Sequence, residues 1–167
     1  MEGGVPKAKL QISIPKNFQR ITAEDLASLL FKQRHSGVLV VDVRGPDFHG
    51  GHIPGALNLP FDDAVESKLE QLAKEHGRKD YIVFYCMYGQ LRSPAAALSL
   101  IKALGTDAAS QGNNVYVLAE GFKNWVKTFN GKKDDHIENF DRECWDEVES
   151  ELVHINDQPS PRDLAGH

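Results

Sequence analysis

The sequence predicts an α/β fold: a central, mostly parallel sheet with helices on both faces. Three observations lead there. Short apolar runs rich in β-branched residues recur at 37–45, 81–86 and 114–121. Segments with helical periodicity and helix punctuation lie between them, and such alternation is the pattern of a parallel sheet covered on both sides. A length of 167 residues gives one domain a real core without comfortably making two.

The elements follow in order. Residues 1–15 read as a flexible start. "ITAEDLASLLFKQ" reads as a helix, with Thr22 at the N-cap, Asp25 at N3 in capping-box spacing, and Ile21 and Leu26 placed as a hydrophobic staple. Leu26, Leu29 and Leu30 fall on one face. "GVLVVDVRG" (37–45) is a buried strand ended by turn residues, and "ALNLP" (56–60) a further short strand. Val65, Leu69 and Leu72 recur at helical spacing in "DDAVESKLEQLAKEHG", where Gly77 suits the end. "YIVFYC" (81–86) is a second buried strand. "SPAAALSLIKALG" is a helix with Ser93 as the expected N-cap and Pro94 at N1. "NVYVLAEG" (114–121) is the third clear strand, followed by a helix in "FKNWVKTF". This divides the chain into a flexible 1–15, a catalytic domain over 16–130, an acidic helical extension over 131–155 and a solvated tail over 156–167.

The bulk properties narrow the functions. The formal charge is −5, which is not the basic footprint of a nucleic-acid binder. No stretch is long and apolar enough to cross a bilayer, and the N-terminus has no apolar signal core. Cys86 and Cys144, the two cysteines, do not make a disulfide framework. A soluble protein of the cytoplasm, or of the nucleus, is the expectation, since free thiols survive in those compartments.

The chemistry concentrates at the end of the second strand. Cys86 stands where "YIVFYC" stops, and ligands of open α/β sheets bind outside the carboxyl ends of the strands. Between it and the next helix come Met87, Tyr88, Gly89, Gln90 and Leu91, then Arg92 and Ser93. If this loop curls, its backbone N–H groups converge as an anion nest, and the helix behind adds the positive end of its dipole. A thiol there ionises easily, and the thiolate is the nucleophile. Gly89 permits backbone angles that a side chain would forbid. Arg92 offers a planar fork matched to two oxygens of a phosphate-like group. An arginine six places after a cysteine is common by chance, and a buried core thiol is the bland alternative. The strand–loop–helix setting decides for a nucleophile.

Two further stretches carry a resemblance. "VVDVRGPDFHGGHIPGALNLP" (40–60) resembles the rhodanese-domain signature, and "VYVLAEGFKNW" (115–125) resembles that family's closing signature. With the cysteine loop, three motifs fall in the family's order across about 20–130, which implies a rhodanese-like domain. Within that fold, Cys-x5-Arg is similar to the loop of the M-phase inducer phosphatases and eukaryotic arsenate reductases, one residue longer than in the sulfurtransferases. The chain departs from that group in places. Tyr85 stands where a histidine is usual, Met87 and Tyr88 where a glutamate follows the cysteine, Val43 where a second cysteine sits, and Glu120 in place of a glycine. Cys-x-x-Gly-x-x-Arg-Ser also resembles the tyrosine-phosphatase loop, in which the hydroxyl after the arginine assists departure of the thiolate.

The resemblance implies a cysteine phosphatase acting on a phosphoprotein or small phosphate ester. Cys86 and Arg92 would be catalytic, with Met87, Tyr88, Gly89, Gln90, Leu91 and Ser93 holding the oxyanion, and no cofactor or metal. Glu120 is the first candidate for the general acid and Asp47 the second, although ordinary surface carboxylates are the competing reading of both. Arsenate reduction with glutathione or glutaredoxin as the reductant is the second hypothesis, sulfur transfer the third, and a non-catalytic oxyanion-binding module the fourth. Asp42 and Arg44 are expected to brace a strand end, and His49 and His52 to pack a turn without binding a metal. Trp125 reads as a core anchor. Phe140, Cys144, Val148 and Leu152 recur every four residues as one apolar stripe of a helix.

Overall fold

The structure is a computed structural model and describes residues 19–105, 114–130 and 134–145. Five strands, β1 (Gln19–Ile21), β2 (Val38–Asp42), β3 (Leu57–Asn58), β4 (Tyr81–Tyr85) and β5 (Val115–Leu118), form one sheet in the order β1-β5-β4-β2-β3. Every pairing is parallel. The helices are α1 (Ala23–Ala27), α2 (Val65–His76), α3 (Arg92–Ala103) and α4 (Gly121–Phe129). A π-helical turn, Ser28–Lys32, continues α1.

Side-chain alternation along β4 sorts the core into two layers. Ile82, Phe84 and Cys86 join Leu69, Leu72, Ala96, Ala97 and Leu100 on the α2–α3 face. Val83, Tyr85 and Met87 join Leu26, Phe122, Trp125 and Val126 on the α1–α4 face. The cysteine and the tyrosine before it therefore point to opposite sides of the sheet.

The expected start of α1 is present. Thr22 caps it by accepting from the Asp25 N–H, and Ile21 and Leu26 are buried in one cluster. Two expectations are corrected. The strand β1 has no counterpart in the sequence reading, because three residues at a sheet edge carry no period and form only by pairing with β5. Ser93 is not the N-cap of α3. The helix begins at Arg92 after Leu91, and the buried Ser93 hydroxyl turns to Cys86 instead of to a backbone amide.

The segment after α4 is also less helical than expected. It makes a 3₁₀ turn at Asp134–His136 and a two-way backbone bridge between His52 and Glu138, and becomes helical only at residues 142–145. The Trp125 indole donates to the His136 carbonyl at 2.9 Å, and the Trp145 indole to the Gly50 carbonyl at 2.8 Å. Phe140 and Cys144 pack partly buried against the α1–α4 cluster, but Phe140 precedes the helical turn, so the two share a buried side without sharing one helix. Val148 and Leu152 lie outside the described residues, as do 1–15 and the tail.

Asp42 and Arg44 brace the end of β2. Both are fully buried. Arg44 donates to both Asp42 carboxylate oxygens, at 3.0 Å from Nε and 2.7 Å from Nη2, and to the Gly51 carbonyl at 2.8 Å. Its guanidinium lies 4.3 Å from the centre of the Phe122 ring. His49 and His52 belong to the turn this arginine holds. Arg44 reaches the His49 carbonyl, and His52 stacks on Phe48. Arg44→Met would strand a buried carboxylate, which costs about 3–5 kcal/mol. Urea denaturation should show a loss of that size.

Candidate active site

The loop 86–92 connects β4 to α3, and what holds it lies outside it. The Phe122 N–H donates to the Cys86 carbonyl at 2.9 Å, and the Lys123 N–H to the Met87 carbonyl at 3.0 Å. These donors belong to the first turn of α4, which has no side-chain cap, so the loop carbonyls satisfy a helix end that would otherwise be open. Arg20 Nη1, on β1, donates to the Gly89 carbonyl at 3.2 Å. In a planar trans peptide the C=O and the following N–H point in opposite directions. Three carbonyls turned outward thus turn the N–H groups of Met87, Tyr88 and Gln90 inward.

Two glycines make this approach feasible. A Cβ on Gly121 would lie 2.5 Å from the Met87 carbonyl oxygen and 2.7 Å from that of Cys86. Gly89 has φ +71°, and a Cβ there would sit 2.8 Å from the Leu118 carbonyl. Glu120, beside Gly121, adopts φ +62°. A left-handed non-glycine residue costs about 1–2 kcal/mol, which explains why a glycine is usual at that position.

The thiol sits inside the cradle, 3% exposed. The Ser93 hydroxyl is 3.1 Å from Sγ, and the Gly89 N–H donates to Sγ at 3.2 Å. Burial works against ionisation. The Ser93 hydroxyl and the amides of Ser93, Gly89 and Tyr88 outweigh it, and they hold the thiol below its ordinary pKa. Ser93, in the first turn of α3, thereby uses that helix's positive end for the thiolate.

Arg92, the first residue of α3, is half-buried and engaged. Its Nη1 and Nη2 donate to the two Asp47 carboxylate oxygens at 2.7 and 2.6 Å. That contact closes the loop after β2 against the cysteine loop. Hydrogen bonding to Arg92 lowers the Asp47 pKa, with burial opposing it and the Arg92 charge adding to it. Asp47 is consequently a carboxylate at neutral pH. Glu120 is exposed on the turn between β5 and α4, next to the glycine that touches the Cys86 carbonyl. Within the loop, Met87 and Gly89 are buried, while Tyr88, Gln90 and Leu91 face solvent.

Tyr85, in place of a histidine, lies on the far side of the sheet from Sγ. Its hydroxyl accepts the Ile53 N–H at 3.2 Å and bonds Asp42. Burial, then the charge and hydrogen bond of Asp42, hold its pKa well above the ordinary value. It serves the Asp42–Arg44 brace and not the Cys86 thiol. Sequence reasoning missed Arg20 and the α4 amides, since nothing local marks a residue 69 positions away as a loop support. Among the described residues no group of three or more His, Cys, Asp or Glu side chains could hold a metal ion.

Residues 22–128 match the model of the rhodanese-like domain. The chain belongs to that family. It is 31% identical over 122 residues to the dual specificity phosphatase Cdc25 of Arabidopsis thaliana, covering 70% of this chain and 79% of that one. It is also 31% identical over 107 residues to arsenate reductase 2.2 of Oryza sativa subsp. japonica, covering 63% of this chain and 79% of the relative. Among solved structures, the As-Sb reductase of Leishmania major superposes with a TM-score of 0.65 at 26% identity, over 83% of this chain and 100% of the other. A yeast protein tyrosine phosphatase of the rhodanese family gives 0.63 at 25% identity, over 77% and 97%. The rhodanese resemblance read from the three motifs is thus borne out, and so is the α/β fold.

Two outcomes are expected from this geometry. Because the Cys86 pKa is lowered, its alkylation by iodoacetamide should reach its plateau at lower pH than that of a free thiol. Ser93→Ala should move the midpoint up, toward the ordinary thiol range, in a pH series of inactivation rates. The second outcome concerns peroxide. Cys86 packs on the α2–α3 face and Cys144 on the other. Mild peroxide should therefore oxidise Cys86 without an intramolecular disulfide, and intact mass should show no species two daltons (about two hydrogens) lighter than the reduced chain.

Proposed function

We propose that this rhodanese-like protein is a cysteine-dependent phosphatase acting on phosphate monoesters. The observation that carries the reading is the thiol itself, held by the Ser93 hydroxyl and the loop amides in a cradle that ends at Arg92. The relatives named as phosphatases support it.

In this reading the Cys86 thiolate attacks phosphorus, an S–P bond forms and the ester P–O bond breaks. The leaving oxygen takes a proton as it departs. Water then attacks the thiophosphate, releasing inorganic phosphate and returning the sulfur as a thiolate, which the Ser93 hydroxyl stabilises. The inward amides and Arg92 hold the charge that develops on the equatorial oxygens. Asp47 occupies the end of the Arg92 fork. A guanidinium carries five N–H donors, so the edge formed by Nε–H and an outer N–H serves the substrate. The ion pair makes Asp47 a poor proton donor and a good anchor for Arg92, which leaves Glu120 as the proposed acid. Side chains and amides supply every step, so the proposal includes no metal or cofactor.

Arsenate reduction is the second reading, favoured by the likeness to the rice and Leishmania reductases. Cys86 would take arsenate, and glutathione or glutaredoxin would supply the electrons. Both readings give an oxyanion or phosphate substrate. Among the described residues no helix is long and apolar enough to cross a membrane. A reactive thiol needs a reducing environment, so we place the protein in the cytoplasm or nucleus.

One comparison tests the choice: an aryl phosphate, arsenate with glutathione, and thiosulfate with cyanide, each with wild type and Cys86→Ser. The aryl phosphate should be hydrolysed fastest, and Cys86→Ser should retain less than about a tenth of the rate. Faster arsenate reduction would select the second reading. Turnover undiminished in Cys86→Ser would exclude this cysteine as the nucleophile.

A further inference from the structure

We propose that Arg20 is a positioning residue of the cysteine loop, which by holding the Gly89 carbonyl outward turns the Gln90 amide into the oxyanion cradle. This rests on reading that loop as an oxyanion site. Arg20 lies on the edge strand β1, two residues ahead of the stretch that matches the family model, so the family signature does not contain it.

The loop carbonyls of Cys86, Met87 and Gly89 are not held alike. Those of Cys86 and Met87 are fixed by main-chain amides of α4, which depend on no side chain of Phe122 or Lys123. The third, on Gly89, is held by the Arg20 side chain at 3.2 Å. It is also the carbonyl most in need of a partner. Gly89 sits at φ +71°, and a glycine has no Cβ to bias the rotation of the peptide that follows it. That peptide has two faces to offer the anion. With the carbonyl outward, Gln90 N–H points at the ligand. With the peptide flipped, a carbonyl oxygen points there and repels it. A cationic donor outside the loop selects the first arrangement, and a hydrogen bond from a charged donor is stronger than a neutral one.

The role separates from general support of the nucleophile. Sγ is held by Gly89 N–H, Tyr88 N–H and Ser93, and none of these belongs to the Gly89–Gln90 peptide. Loss of Arg20 should therefore weaken anion binding while leaving the thiol's ionisation nearly unchanged.

The test uses the full chain and needs no turnover. Cys86 is alkylated with iodoacetamide at increasing inorganic phosphate or orthovanadate, and the protection constant is measured for wild type, Arg20→Met and Arg20→Gln. The pH midpoint of alkylation is measured without anion. Arg20→Met should weaken protection about ten-fold, the scale of one hydrogen bond from a charged donor. Arg20→Gln, which keeps an N–H donor and loses the charge, should recover part of it. The pH midpoint should stay in place in both. Unchanged protection in Arg20→Met would overturn the proposal, as would a glutamine variant no better than methionine or a midpoint that moves with the loss of protection. If Arg20→Met fails to fold, the Gln90 amide resonance of the wild type decides. It should shift on phosphate addition, and an unmoved resonance would overturn the role. A wild type that no oxyanion protects would instead remove the oxyanion site itself, a different failure from protection that Arg20 does not influence.

Discussion

The site depends on the contact between the first turn of α4 and the carbonyls of Cys86 and Met87. One contact satisfies two needs. A helix start with no side-chain cap finds acceptors, and a loop that turns amides toward its thiol finds donors for the carbonyls it turns away. The constraint reaches into the sequence at Gly121, where a Cβ would collide with both carbonyls. The closing signature therefore helps to hold the cysteine loop, although Gly121 and Cys86 stand on different elements.

A second set of contacts acts from the other side of the sheet. Asp42, Arg44 and Tyr85 form a buried polar cluster that fixes the turn 49–53 through the Gly51 carbonyl and the Ile53 amide. The segment 136–145 closes over the same turn, with Trp145 on the Gly50 carbonyl and Glu138 bridged to His52. Asp47 leaves this braced loop to meet Arg92. The orientation of the arginine is thus tied to the brace, and the brace to the C-terminal segment, although neither contacts Sγ. Buried polar groups of this kind are costly unless every member is paired, which makes the arrangement specific.

The cysteine loop shows how a buried thiol comes to have a lowered pKa. Burial alone would keep Cys86 protonated, as it does for a core cysteine. The balance reverses because the hydroxyl and amides of Ser93 come from a helix start, and the other donors from a loop whose carbonyls are engaged elsewhere. Placing Ser93 against the sulfur also removes it from the helix cap. This is a case where chemistry at the site displaced the local preference of a residue.

The sequence alone determined what rests on local periodicity and short motifs. The β-branched runs marked β2, β4 and β5, the Thr22 cap marked α1, and Cys86 with Arg92 marked the site, because each is written in adjacent residues. The tertiary structure decided what depends on residues brought together from afar. The strand β1 exists only through its ladder with β5, and its Arg20 reaches Gly89 across 69 positions. Asp47 meets Arg92 across 45 positions and becomes its carboxylate partner, which no spacing rule foretells. Tyr85 turns from the Cys86 thiol because successive residues of a strand face opposite sides, a fact legible in the sequence, yet its partners Ile53 and Asp42 come from other elements. Which amide points at an anion is set by what binds the carbonyl on its other side, and only the folded chain supplies that partner.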